Sequence, residues 1–131
     1  MIIGIHHIAI SVENLDTAVS FYQNAFGFEV VQTSDFNKNK LVDAAIGLTD
    51  AEARMAMLKA PNAFVELWEY VHPQPKDLRS RPCDYGYPHF ALQVSNIDDE
   101  YDRLIKAGMT FAGEVVHFTK ETAAIYGRDP F

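Results

Sequence analysis

His6-His7-Ile8-Ala9-Ile10-Ser11-Val12 is the first periodic run of the chain, and it returns at 89–94 as His-Phe-Ala-Leu-Gln-Val. An offset of 82 (89 − 7 = 82) superimposes His7 on His89, Ala9 on Ala91, Val12 on Val94, Asn14 on Asn96 and Asp16 on Asp98. The chain therefore reads as an internal duplication. Both runs alternate with period 2, which puts His7, Ala9 and Ser11 on one strand face and Ile8, Ile10 and Val12 on the other. In the second copy His89, Ala91 and Gln93 mirror the first set. Each copy carries one histidine on the less apolar face of a strand whose other face belongs to a core.

Outward from the first run, Glu13 or Asn14 opens a helix to about Phe26, with Leu15, Ala18, Val19, Tyr22, Ala25 and Phe26 at helical spacing. Gly27 stands where a left-handed C-cap belongs. Residues 28–34, rich in β-branched and aromatic side chains, predict a strand, and 36–40 a polar turn. Residues 41–48 and 54–60 predict two further strands, with 50–54 either a connection or a helical turn and 60–62 a turn. Residues 64–70 alternate again, so that Phe64, Glu66, Trp68 and Tyr70 share a face. Module one, 1–71, is read as βαβββ.

Four of the six prolines lie in 72–88, which reads as a linker. Module two, 89–131, continues with a helical stripe of Ile97, Tyr101, Leu104 and Ile105, a cap at Gly108, and strands at 115–118 and 122–126. Glu66 follows His7 by 59 residues, whereas 42 residues follow His89. The second module thus lacks a counterpart of the last strand of the first, and the ending Tyr-Gly-Arg-Asp-Pro-Phe reads as a turn leading toward it. The expected fold is α+β, a single domain of two tandem βαβββ modules whose mixed sheet curls into a trough.

At 131 residues, 48% hydrophobic and 12% aromatic, the chain can bury a core. A net charge of −7 argues against nonspecific binding to nucleic acid or to anionic membranes and favours a small-molecule partner. The single cysteine, Cys83, cannot form an internal disulfide, and the start Met-Ile-Ile-Gly-Ile lacks the basic region of a signal peptide. The expected location is cytoplasmic.

His7 and His89 on equivalent strands, together with Glu66, form a candidate set for one divalent metal, because imidazole and carboxylate suit Zn, Ni, Co, Mn or Fe. The alternative is a pair of half-buried histidines bonded to backbone, which strand histidines often are. Phe64, Trp68, Tyr70 and Gln93 are candidate pocket residues, with ordinary sheet packing as the alternative for the aromatics. His6 is expected to face the helix side with Ile8. His72 and His117 read as structural, Lys76, Arg79 and Arg81 as a solvated linker, and Cys83 as chemically idle.

The pattern His-His-Ile-Ala-Ile-x-Val-x-Asn-Leu-Asp-x-Ala-x-x-Phe-Tyr-x-x-x-Phe-Gly-Phe (6–28), with Val-Glu-Leu-Trp-Glu-Tyr (65–70), Pro-His-Phe-Ala-Leu-Gln-Val-x-Asn-Ile-Asp (88–98) and Tyr-Gly-Arg-Asp-Pro-Phe (126–131), resembles the vicinal oxygen chelate superfamily. That group holds glyoxalase I, methylmalonyl-CoA epimerase, extradiol dioxygenases and fosfomycin or bleomycin resistance proteins. The resemblance covers essentially the whole chain and implies a metal held by His7, Glu66 and His89. A fourth ligand, usually Glu, follows the Asp-Pro-Phe turn in metal-dependent members, beyond Phe131 here. It further implies a metal-dependent lyase or isomerase of glyoxalase or epimerase type, a homodimer, acting on a small metabolite with neighbouring oxygens, with Glu66 as a carboxylate able to carry a proton. Two rivals remain. One is a ring-cleaving dioxygenase holding Fe(II), and the other is a metal-free protein that sequesters a drug.

Overall fold

The computed structural model describes residues 1–87 and 89–131. Pro88, the last residue of the expected linker, lies outside them. The chain divides into two compact units, the first holding Met1–Pro75 with Phe131 and the second Lys76–Pro130.

The first unit runs β1 (His7–Ser11), α1 (Leu15–Phe26), β2 (Glu29–Asn37), α2 (Lys40–Ile46), β3 (Glu52–Lys59) and β4 (Phe64–His72). Its strands form one mixed sheet in the order β1-β4-β3-β2, parallel at β1/β4 and antiparallel elsewhere. The expected α+β class and the mixed sheet are both present.

Helix α1 begins where its cap permits. The Asn14 side chain accepts the Thr17 backbone N–H at 2.9 Å, satisfying one of the donors that a first turn leaves unpaired. It ends at Gly27, whose φ of 70° is the left-handed conformation that residues with a Cβ adopt only at a cost. Between these ends Ala18 and Tyr22 are fully buried. They pack toward β3 and β4, on the sheet face to which alternation assigns Leu58, Val65 and Leu67. Leu58 and Leu67 are also wholly excluded from solvent, and removing each side chain from water contributes about 1.5–3 kcal/mol. This layer is the core. The other face of the sheet carries His7, Glu66, Trp68 and Tyr70.

Residues 41–48, expected as a strand, belong instead to α2 and its cap. Asn39 accepts the N–H groups of Leu41 and Val42, and Gly47 closes the helix at φ 72°. The Asp43 carboxylate then takes the N–H groups of Asp50 and Ala51, so 50–54 forms no helical turn and leads straight into β3. Strand β2 runs three residues past its expected end, through Asn37, because Phe36 and Asn37 pair with Ala53 and Glu52.

The second unit contains α3 (Ile97–Ala107), β5 (Thr110–Phe111), β6 (Val116–His117), β7 (Ala123–Ala124) and β8 (Gly127–Arg128), paired as β5/β8 and β6/β7. Helix α3 repeats the first helix at the same offset. Asn96 caps it through the Asp99 N–H, as Asn14 caps α1. The expected strands at 115–118 and 122–126 shrink to the two-residue ladder β6/β7. The run 89–94 forms no strand at all, and Leu92 and Val94 are exposed. Its counterpart β1 is a strand because β4 supplies a parallel ladder partner, and a strand without a partner leaves its backbone groups unpaired.

Among the described residues no helix is long and apolar enough to cross a membrane.

Candidate functional site

The site is built on the Glu66 face of the first unit's sheet. Strand register sets His7 beside Phe64, Ala9 beside Glu66 and Ser11 beside Trp68 on the parallel neighbour, with Met57 and Met55 opposite Glu66 and Trp68 on β3. His7 reaches along this face until its Nε2 stands 3.5 Å from Glu66 Oε2. Glu66 is the deeper of the two, its side chain 13% exposed against 39% for His7. A nitrogen and a carboxylate oxygen therefore converge on one point, as a borderline divalent ion requires. The donor set fits such an ion as far as these two residues go.

Each donor has a neighbour behind it. Trp68 donates its indole N–H to Glu66 Oε2 at 3.0 Å. His6 turns toward His7, their Nδ1 atoms 2.9 Å apart, and its ring stacks on Phe64 at 5.1 Å. His6 was expected on the helix side; it instead lies beside the His7 ring, because it precedes β1 and the alternation of the strand does not bind it.

The aromatic residues form a stack. Trp68 lies 5.4 Å from Phe36 and 5.5 Å from Tyr70, with planes tilted by only 18° and 13°. Phe36 was read from the sequence as the start of a polar turn; alternation carried on from Phe28 would put it on the core face, and the register shift between Val30 and Gln32 turns it to the face of Trp68 instead. Burial, and then the nearby Glu66 charge, push the Tyr70 hydroxyl above its usual value.

His89 and Gln93 belong to the second unit. His89 meets the Tyr126 ring edge-on at 4.9 Å, and Gln93 is exposed and outside regular secondary structure. Among the described residues no group of three or more His, Cys, Asp or Glu side chains is gathered closely enough to hold a metal ion. Within the first unit the structure brings His7 and Glu66 together, and within the second His89 meets Tyr126.

The other singled-out residues have local partners. His117 Nε2 lies 3.1 Å from an Asp98 oxygen, Arg79 binds Asp77, and Arg81 binds Asp84. The Asp77 carboxyl is held at about 2 by the hydrogen bonds from Arg79. His72 ends β4 exposed, and Cys83 is exposed and free.

The chain is similar in sequence and shape to several known proteins. A 2-epi-5-epi-valiolone epimerase from Actinomyces is 36% identical over 104 residues, a match covering 73% of this chain and 54% of the epimerase, so the chain spans about half of that relative. A glyoxalase family protein from Bacillus cereus superposes with a TM-score of 0.86 at 26% identity, over 97% of this chain and 87% of that one. The fosfomycin resistance protein FosX from Listeria monocytogenes, in complex with Mn(II) and 1S,2S-dihydroxypropylphosphonic acid, shares the fold with a TM-score of 0.61 at 19% identity, over 96% of this chain and 85% of that one. Residues 4–131 match the Glyoxalase/Bleomycin resistance protein/Dioxygenase superfamily as a whole, and the chain belongs to that superfamily.

Proposed function

We propose that the protein is a divalent-metal-dependent lyase or isomerase of the glyoxalase or epimerase type, acting on a small metabolite with neighbouring oxygens. The observation that carries this reading is the convergence of His7 Nε2 and Glu66 Oε2 on one sheet face, beside an aromatic stack. Similarity to an epimerase, and a fold that in FosX accompanies Mn(II), support it. His89 enters as third ligand through the repeat alone, as the counterpart of His7 at an offset of 82.

A divalent ion held here would supply Lewis-acid stabilisation to negative charge developing on a substrate oxygen. The chain's own part is orientation and proton holding. His7 and Glu66 would hold the ion, and Glu66 would be the carboxylate that takes the proton and returns it. Phe64, Trp68 and Tyr70 line the apolar side of the site, where the body of the substrate packs. Gln93 keeps its place in the proposal as a polar contact to substrate, again from the repeat.

The test is metal content together with proton exchange. Wild type, His7→Ala, Glu66→Ala and His89→Ala are each titrated with Zn, Ni, Co, Mn and Fe(II), and then incubated in D2O with a panel of 2-hydroxyketones. The reading expects near-stoichiometric metal in wild type, its loss in the three variants, and metal-dependent deuterium incorporation next to the carbonyl. Wild type that binds none of the five metals would refute it, and Fe(II)-dependent oxygen consumption with a catechol would move the assignment to the ring-cleaving class.

A further inference from the structure

Trp68 is the only tryptophan in the chain. Its indole N–H donates to Glu66 Oε2 at 3.0 Å, and its ring stacks with both Phe36 of β2 and Tyr70 of β4. Glu66 and Trp68 are two residues apart on one strand, so alternation alone puts both on the same face. The stack does the rest, since an indole packed at 5.4 and 5.5 Å against two near-parallel rings has little freedom to swing its N–H elsewhere.

A glutamate side chain has three rotatable bonds, and a metal ligand must hold one rotamer. The Trp68 N–H donates to Glu66 Oε2, and His7 Nε2 stands 3.5 Å from the same oxygen. A hydrogen bond to an ionised carboxylate is shorter and about twice as strong as a neutral one, and groups that orient ligands from behind are worth roughly 10–100-fold in metal affinity.

We propose that Trp68 is the positioning residue of the site, its indole N–H fixing the Glu66 carboxylate in the orientation that faces His7 and so holding it ready for a divalent metal. This rests on the reading of Glu66 as a ligand. Trp68 acts through Glu66 and touches neither metal nor reacting atoms.

Because there is one tryptophan, the full 15N-labelled chain gives one indole N–H resonance, which reports the contact without any metal. The expected result is an upfield shift of that resonance in Glu66→Gln, where a neutral amide replaces the charged acceptor. In Trp68→Phe, which keeps a stacking ring and removes the donor, Mn(II) affinity followed by electron paramagnetic resonance should fall about 10–100-fold, with the melting temperature little changed. A purely structural tryptophan would lower the melting temperature and leave the Mn(II) affinity of the folded protein intact.

An indole resonance indifferent to Glu66→Gln overturns the proposal even if Trp68→Phe fails to fold. Mn(II) binding lost in Glu66→Ala but unchanged in Trp68→Phe overturns it while the metal reading stands. No Mn(II) binding in wild type, with the indole shift present, removes the metal reading and the positioning role with it, and leaves only the hydrogen bond.

Discussion

Glu69, on β4, accepts the backbone N–H of Leu15, the first residue of α1, at 2.6 Å. The same oxygen receives Arg54 Nη2 from β3 at 2.9 Å, and Arg54 also reaches Asp16. A sheet carboxylate is thus one of the caps of the helix that covers the core, and it sits on the positive end of the helix dipole. Glu69→Gln should keep the shape of this junction and lose its charge. We expect a loss of about 1–2 kcal/mol at neutral pH in urea unfolding, below the upper range for charged hydrogen bonds because the Glu69 side chain is 22% exposed.

The Arg54 hydrogen bond, then the Leu15 N–H, hold the Glu69 carboxyl below its ordinary value, against the opposing effect of burial. A carboxyl whose folded pKa is depressed contributes stability above its unfolded value of about 4.3, and loses it as pH falls through the lower folded value. Stability of the wild type should therefore decline in that acidic window more steeply than stability of Glu69→Gln. Urea midpoints at pH 7, 5, 4 and 3 check this, and parallel curves for the two proteins would contradict it.

Leu67 is fully buried on the β4 face that meets α1. Leu67→Ala removes three carbons from a closely packed layer and should cost about 2–4 kcal/mol, read as a fall in the urea midpoint at unchanged slope. An effect under 1 kcal/mol would mean that the layer collapses around the gap.

Gly127, in β8, is pressed against its neighbours: a Cβ there would lie 2.7 Å from Met109 Cε and 2.8 Å from Phe111 Cε1. The methionine end can move aside, but the phenylalanine ring, itself packed against Tyr101 at 4.8 Å, has less room. Gly127→Val should destabilise by about 1–3 kcal/mol through overpacking. Hydrogen exchange should show the loss at Thr110, Phe111 and Arg128 and spare β3 and β4.

If His7 and Glu66 hold metal, the bound ion stabilises the folded chain by mass action. A free concentration about 100-fold above the dissociation constant adds about 2.7 kcal/mol. Thermal melts with Mn(II) should rise and should return to baseline with chelator. His7→Ala should melt at one temperature whether or not Mn(II) is present.

Much of the first unit is determined by local signals in the sequence. Asn14 and Gly27 bracket α1, the alternation of 64–70 sets Glu66, Trp68 and Tyr70 on one face, and the offset of 82 carries the Asn cap of α1 to α3. These were legible because capping and strand alternation depend on residues within a few positions of one another. The seven residues of α2 were not, since so short an apolar run shows no period that separates helix from strand; its Asn39 and Gly47 caps were the readable clue.

Other features depended on partners far along the chain. Residues 7–11 and 89–93 carry the same alternation, yet only the first is a strand, because a ladder exists only where another strand supplies the opposing N–H and C=O groups. The metal-ligand set divides the same way. Sequence repetition paired His7 with His89, and the strand 64–70 and the family resemblance added Glu66, whereas the parallel register of β1 on β4 brought His7 to within 3.5 Å of Glu66. The sequence by itself determined which faces are apolar and where the helices start and stop. Only the tertiary structure decided which carboxylate meets which histidine, and that the indole of Trp68 donates to Glu66, because those contacts are made between strands and across stacked rings.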